Sequence, residues 1–280
     1  MPIGYEPPRR LGQPDYLYDQ HKHTDSIAGV SETTSSADRE LWSRRSRSFG
    51  GHADAYDEHR PDYPLDGIRW ALPPGAAEVV DLAAGTGKLT GGLRALGLRV
   101  TAVEPDPGMR AEFARRHACV EVLDGTAERI PLPDASADAV LAGQAFHWFD
   151  LDAALPEIAR VLRPGSVVAG LWNGNDDSVP WVAEFARASG FVQRGRSVAT
   201  LPEHPAFGAF EEKTFRHSHR RTPESLVETI STHSHLLVAD DAERAETRRR
   251  VLEFLRANPA TANGEFDLPL LTTVLRAVRR

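Results

Sequence analysis

The chain has 280 residues, 41% of them hydrophobic, and a formal net charge of −7, enough for one well-buried core and short for two. It has no basic stripe, no apolar run near the roughly 18 residues of a membrane span and no apolar stretch behind Met1 to Arg10, so nucleic acid as substrate, a spanning helix and a secretory leader are not expected. A cytoplasmic protein, monomer or homodimer, is the expectation. The one cysteine, Cys119, precludes an internal disulfide and reads as a small buried hydrophobe ahead of a strand. Lysine occurs only at Lys22, Lys88 and Lys213 against an otherwise arginine basic set, a codon-level hint of a GC-rich bacterial source.

Residues 1–37 are rich in Pro, Gly, Ser, Thr, Asp and His without a sustained period, and read as a flexible arm. Ser36 or Asp38 could cap a short helix through Trp42. The segment 38–64 reads either as a lid or as a surface helix with a proline stop. From Leu65 the pattern alternates: helix 65–72, strand 77–82, helix 87–96, strand 99–104, helix 107–117, strands 120–123 and 138–143, helix 152–162, strand 166–172. Alternation with short connections implies a parallel sheet covered by helices on both faces, with right-handed crossovers. The rhythm then changes. Residues 173–177 read as a turn-rich loop, 178–189 as a helix, and the stretch to about 210 as irregular. Strand 211–219 leads to Thr222, which caps a helix with Pro223 at its first position. Residues 242–257 form a charged amphipathic helix with Val251, Leu252, Phe254 and Leu255 inward, and 266–278 are the last strand. The fold class is α/β: a Rossmann-like, seven-stranded, mostly parallel sheet, with an N-terminal lid and an insert after strand 5.

The run from Val79 to Thr90 is the most informative: an apolar strand, the acid Asp81, a small-residue loop with Gly85 and Gly87, then a helix start. The glycines allow close backbone approach to a ligand, and the carboxyl end of such a strand is where open α/β sheets bind ligands. A second acid, Glu104, ends the next strand, roughly 20 residues after the loop, the spacing at which a carboxylate meets ribose hydroxyls. The register is not the dinucleotide G-x-G-x-x-G. A carboxylate at the root of the loop repels a diphosphate and suits a cofactor with an amino group. S-adenosylmethionine, adenosine-bearing and cationic, fits.

Five segments in register resemble class I S-adenosylmethionine-dependent methyltransferases, and in particular their small-molecule branch, which includes trans-aconitate methyltransferase-like proteins. They are Asp81 to Gly87, Val103 to Met109, Asp124 to Pro133, Ala139 to Asp150 and Ala159 to Gly165; the resemblance covers roughly residues 49 to 280. Ala83 departs from the commoner glycine but is small enough to keep the turn. The resemblance implies that Asp81, Ala83, Gly85, Thr86 and Gly87 form the cofactor loop, with Tyr56 and Arg60 of the lid near the methionine end. It places Glu104 and Pro105 at ribose and Met109 against adenine, although Met109 could equally be core. Asp124, Gly125, Thr126 and Ala127 would read adenine, Asp124 from its amino group and the Thr126 and Ala127 backbone along the ring edge. Gln144 and Phe146 complete the cofactor set. His147, Trp148, Trp172 and His235 would line the acceptor cavity, within acceptor-side elements at 173–210 and 222–258. His147 is either a general base or a residue that only positions ligand.

Metal is not expected. His217 and His219, two apart on a strand, face one way, but neither they nor His233 and His235 have a third convergent ligand in view. The run Arg248 to Arg250 reads as a solvated helix face. The function expected is methyl transfer to a small organic acceptor, a secondary metabolite favoured by aromatic walls from Phe146, Trp148, Trp172 and Trp181. Carboxyl methylation of a small polycarboxylate, and cofactor binding without turnover, are the alternatives.

Overall fold

In a computed structural model, residues 60–190, 202–231 and 240–280 are described. Within them a seven-stranded sheet runs in the order β3-β2-β1-β4-β5-β7-β6. Its strands are β1 (Glu78–Leu82), β2 (Arg99–Val103), β3 (Glu121–Leu123), β4 (Ala137–Gly143), β5 (Leu162–Asn175), β6 (Glu211–Arg221) and β7 (Phe266–Val278). β1 to β5 pair in parallel, while β7 is antiparallel to both β5 and β6. β6 therefore points the same way as β1 to β5, and its last residues reach the same carboxyl edge.

The helices are α1 (Leu65–Ala71), α2 (Lys88–Ala95), α3 (Pro107–Arg116), α4 (Leu151–Val161), α5 (Pro180–Ala188), α6 (Pro223–Ser231) and α7 (Asp241–Ala257). Alternate strand residues serve opposite faces, as a period of two requires. Val80, Leu82, Val140 and Val168 pack with Leu155 and Ile158 of α4. Val79, Leu141, Val167 and Leu171 pack with Ile68 of α1 and with Leu89 and Leu93 of α2. A third cluster lies over the start of β7: Phe185 of α5, Leu226 and Ile230 of α6, and Val251 and Leu255 of α7 close on Phe266, Leu268 and Leu270. Leu252 and Phe254 are only partly buried beside it.

Two local expectations change. The stretch Asn173 to Asn175 is not a loop but the end of β5, because β7 pairs it as Asn173↔Thr272, Gly174↔Leu271 and Asn175↔Leu270. A ready antiparallel partner overrides the turn preference of Asn and Gly. Cys119 is exposed: it lies in the tight turn closed by the Val120 amide donating to the His117 carbonyl at 2.8 Å, which faces solvent. The Thr222 cap is present in reciprocal form. The Ser225 amide donates to Thr222 Oγ1 at 3.1 Å, and the Thr222 amide to Ser225 Oγ at 2.9 Å.

Candidate active site

Above the carboxyl ends of β1, β2 and β4 lies a cavity of about 620 Å³. Its floor is the turn between β1 and α2. Ala83, Gly85 and Gly87 all take positive φ there, at 55°, 57° and 94°. A Cβ on Gly85 would meet nothing within 4 Å, so the missing side chain leaves open space over the loop. At Ala83 the same backbone sign carries strain that glycine would not.

Asp81 closes this floor and is 1% exposed. Thr90 Oγ1 donates to its Oδ2 at 2.6 Å, while Oδ1 is buried without a hydrogen-bond partner. Burial, countered by Thr90 and reinforced by Glu104, pushes its pKa up to about 7. A carboxylate in this state is deficient in one donor and one positive charge. Glu104 is also buried, and each of its oxygens already accepts an amide at 2.9 Å, Oε2 from Gly85 and Oε1 from Asp106. It therefore pins the loop from below while retaining one acceptor position per oxygen. Burial raises its pKa, against those two amides. Asp106 Oδ1 caps α3 through the Met109 amide at 2.8 Å, bringing Met109 to the cavity wall, 5% exposed.

Most of the residues expected from sequence line this one cavity: Arg60, Asp81, Ala83, Gly85, Thr86, Glu104, Pro105, Met109, Thr126, Ala127, Gln144, His147 and Trp148 all do. Tyr56 and His235 lie outside the described residues. Five stand elsewhere. Gly87 is the N-cap of α2. Asp124 is largely exposed and pairs with Arg110 Nη1 at 3.1 Å. Gly125 packs where a Cβ would meet Pro131 Cδ at 2.5 Å, so its small size serves packing. Phe146 and Trp172 pack on each other at 6.1 Å between ring centroids, over Gly170; they fill the α4 side of the sheet. The Thr126 amide donates to the Arg129 carbonyl at 3.2 Å, which commits it to its own turn. Trp181 meets Phe266 edge-on, so of the four aromatic walls expected, Trp148 alone is at the cavity.

At the exit of β4, Gln144 has φ 56°, an uncommon conformation for a residue with a side chain. Two bonds hold it: its amide donates to the Leu171 carbonyl at 2.8 Å, and Nε2 donates to the Asn173 carbonyl at 2.9 Å. Gly143 just before it has no room for a methyl, which would strike the Tyr63 hydroxyl. His147 sits in the short 3₁₀ turn Phe146–Trp148, its ring 4.8 Å from that of Trp148. Partial loss of solvent lowers its pKa from the ordinary imidazole value, so it is neutral at pH 7.

The far part of the cavity is lined by Leu226, Thr229 and Ile230 of α6, within the acceptor-side element expected at 222–258, and by His219 and Arg221 of β6 and Leu268 and Leu270 of β7, which were not expected there. The available signal for β6 was the same-face spacing of His217 and His219. Among the described residues no cluster of three metal-ligating side chains occurs, and no helix is long and apolar enough to cross a membrane.

Comparison with known proteins gives this geometry a family. A methyltransferase-domain family matches residues 80–170, the span from β1 through β5. An uncharacterized methyltransferase of Mycobacterium tuberculosis is 41% identical over 236 residues, covering 83% of this chain and 96% of its own length. The chain is a class I S-adenosylmethionine-dependent methyltransferase. A chain from Anaeromyxobacter dehalogenans, described as a type II methyltransferase, superposes on the methyltransferase with a TM-score of 0.58 at 27% identity, covering 79% of this chain and 97% of that one. A quinone-biosynthesis C-methyltransferase of Rubrivivax gelatinosus is 42% identical over 143 residues, about half of each chain.

Proposed function

We propose that the protein transfers a methyl group from S-adenosylmethionine to a small organic acceptor bound in the far part of the same cavity. The observation that carries this is Asp81: a buried carboxylate with one bare oxygen, beneath an open glycine loop, in the cavity that also holds Glu104. The group the family implies fits these residues. Asp81 Oδ1 suits an α-ammonium, the free acceptor positions of Glu104 suit two ribose hydroxyls, and Met109 offers an apolar, polarizable surface to adenine. When bound, S-adenosylmethionine supplies an electrophilic methyl on sulfur.

The chain's own contribution is then orientation and exclusion of water. The carboxyl edge of β4 presents Gln144, His147 and Trp148 between the two parts of the cavity. Gln144 is fixed by its two bonds and holds the β4 exit in shape. His147, neutral at pH 7, can accept a proton from the acceptor or donate a hydrogen bond to it. Alignment of two reactants in one cavity supplies much of the rate in such a transfer. The continuation of the cavity past His147 supports turnover over mere cofactor storage. The apolar walls supplied by Leu226, Ile230, Leu268 and Leu270 support a small acceptor with hydrocarbon surface, as in secondary metabolism.

Calorimetric titration with S-adenosylhomocysteine in the presence of EDTA tests the reading. Saturable binding at one site is expected, with a stability gain of about 2.7 kcal/mol at a hundredfold excess over Kd. No heat and no thermal shift would reject it.

A further inference from the structure

β4 and β5 part at the carboxyl edge of the sheet. Gly143 ends β4 and is level with Leu171 of β5. β5 runs on beyond it, kept extended by β7, with Asn173 level with Thr272. Gln144 turns away at φ 56°, yet it keeps to the ladder. Its amide donates to the Leu171 carbonyl at 2.8 Å, and Nε2 of its side chain donates to the Asn173 carbonyl at 2.9 Å. The side chain thus stands in for the next rung, and the main chain is released to form the turn that carries His147 and Trp148.

Asn173 follows Leu171 by two residues and so shares its face of the sheet, the face packed by α1 and α2. There it meets segment 60–64, which precedes α1. Nδ2 donates to the carbonyls of Pro61 and Asp62, both at 3.3 Å, and Oδ1 accepts from the buried Thr272 hydroxyl at 2.5 Å. A short side chain with two N–H groups and one oxygen meets these three partners. A carboxylate has no proton to give the two carbonyls, and an aliphatic side chain has nothing to give any of the three. Two further contacts seat the segment. Lys88 Nζ, at the start of α2, lies 3.3 Å from Asp62 Oδ1, and the Tyr63 hydroxyl fills the space beside Gly143. Arg60, Pro61, Tyr63, Lys88, Gln144 and Asn173 all line the cavity. Segment 60–64 is therefore a strap along one cavity wall, and Asn173 bonds both to it and to Gln144.

We propose that Asn173 is a positioning residue for methyl transfer: its side chain seats the strap 60–64 against the bound cofactor, and its carbonyl holds the exit of β4, where acceptor and methyl meet. The assignment rests on the methyltransferase reading above and adds to it a residue that touches neither reactant. Two walls of the cavity then depend on one side chain and its own carbonyl. Ligand leaves when the strap lifts, and the strap lifts only when both Nδ2 bonds break. Two neutral hydrogen bonds slow such a step by about ten- to a hundredfold.

The test is the rate at which S-adenosylhomocysteine leaves wild-type, Asn173→Asp and Asn173→Leu protein, measured by stopped flow between pH 5 and 8. At pH 8 the carboxylate introduced by Asn173→Asp faces two carbonyl oxygens, and release should be about ten- to a hundredfold faster than from the wild type. Towards pH 5 the new carboxyl group gains a proton that it can donate to one of those carbonyls, so the ratio of variant to wild-type rates should fall several-fold. Asn173→Leu, with neither charge nor donor, should release fast at every pH. Asp62, Lys88, His217 and Asp81 are common to all three proteins, so the ratio cancels their titration. A residue that served the fold alone would lower the melting temperature and leave release from the folded protein as it was. If neither variant folds, hydrogen exchange on the wild type decides: S-adenosylhomocysteine should protect peptides spanning 60–72 and 143–150 together. Wild-type release rates in either variant at pH 8, a pH-independent ratio for Asn173→Asp, or protection of the β4 exit without the strap would each overturn the proposal. Failure of S-adenosylhomocysteine to bind the wild type would count instead against the methyltransfer reading.

Discussion

The protonation of Asp81 should couple cofactor binding to pH. In the ligand-free protein its pKa is about 7, chiefly through burial, against 3.8 for the ordinary side chain. The folded state therefore binds more protons than the unfolded chain between those values. Its stabilising contribution is complete below about pH 4 and is lost as pH rises through about 7. The difference of roughly three units corresponds to about 4 kcal/mol, at 1.36 kcal/mol per unit. An ammonium beside Oδ1 reverses the preference, because it favours the carboxylate. Binding of S-adenosylhomocysteine at pH 6 should then release close to one proton, and at pH 8 almost none. Affinity should fall about tenfold per pH unit below 7, reaching roughly a hundredfold loss at pH 5 relative to pH 8. Isothermal calorimetry at pH 5, 6, 7 and 8, in buffers of different ionisation enthalpy, measures both quantities. Asp81→Asn supplies the control. It keeps the Thr90 bond but presents an amide to the ammonium, so affinity should drop and its pH dependence vanish, while the ligand-free protein should melt several degrees higher at pH 8. A flat affinity profile without proton release, or wild-type affinity in Asp81→Asn, would refute the placement of the ammonium.

Glu104→Ala should cost stability as well as affinity, since it orphans the Gly85 and Asp106 amides; about 1–3 kcal/mol per amide left buried and unpaired is expected in urea unfolding. Gly85→Ala should cost only about 1 kcal/mol of stability through its positive φ, yet weaken S-adenosylhomocysteine at least about tenfold by placing a methyl in open cavity. Gly125→Ala should do the opposite, because its Cβ would strike Pro131 and Val103 away from the cavity, lowering the melting temperature of a protein that still binds ligand with its usual affinity. His147→Gln should retain activity within about tenfold: the imidazole has no hydrogen bond to a described residue that would orient it as a base, and a drop of about 10²–10⁴ in turnover would restore the base assignment.

What could be read from the chain follows how local each interaction is. The cofactor loop was legible because one strand, one acid and two glycines within nine residues define it, and the structure adds only that Ala83 holds a glycine conformation. The last strand and its neighbour, expected at 266–278 and 211–219, are present as Phe266–Val278 and Glu211–Arg221. The roles of Phe146, Trp172 and Asp124 were not legible. Whether an aromatic faces a cavity or the opposite face of the sheet depends on parity along the strand and on what covers each face, and here Trp172 and Phe146 fall on the α4 side. Asp124 follows the right strand, but Arg110, on the next helix face, draws its carboxylate outward. Arg221 was invisible for a related reason. Beside Arg220, which pairs with Glu265 and Asp267 at the surface, it reads as one of two solvated arginines. Only the pleat separates a surface ion pair from a buried cation.

The two ends of the cavity are built differently, and one side chain joins them. The cofactor end comes from successive β–α turns early in the chain; the acceptor end comes from β6, α6 and β7, whose sequence positions lie more than a hundred residues later. Asn173, on β5 between them, bonds to both. Its carbonyl accepts from Gln144 Nε2 at 2.9 Å, and its Nδ2 donates to the carbonyls of Pro61 and Asp62 at 3.3 Å. Its Oδ1 accepts from Thr272 Oγ1 at 2.5 Å. The Thr272 hydroxyl has one proton to give, so at its 2.9 Å contact with His217 Nε2 it must accept, and His217 carries its proton on Nε2. The chain of bonds therefore runs with one polarity from β6 through β7 and β5 to the segment preceding α1. An imidazole protonated on Nε2, alone or together with Nδ1, satisfies it, whereas one protonated only on Nδ1 does not. Thr272 is fully buried, and the two contacts of its hydroxyl are to side chains of the two neighbouring strands. The same bonds fix the level of His217, and through the pleat the positions of His219 and Arg221, relative to Gln144.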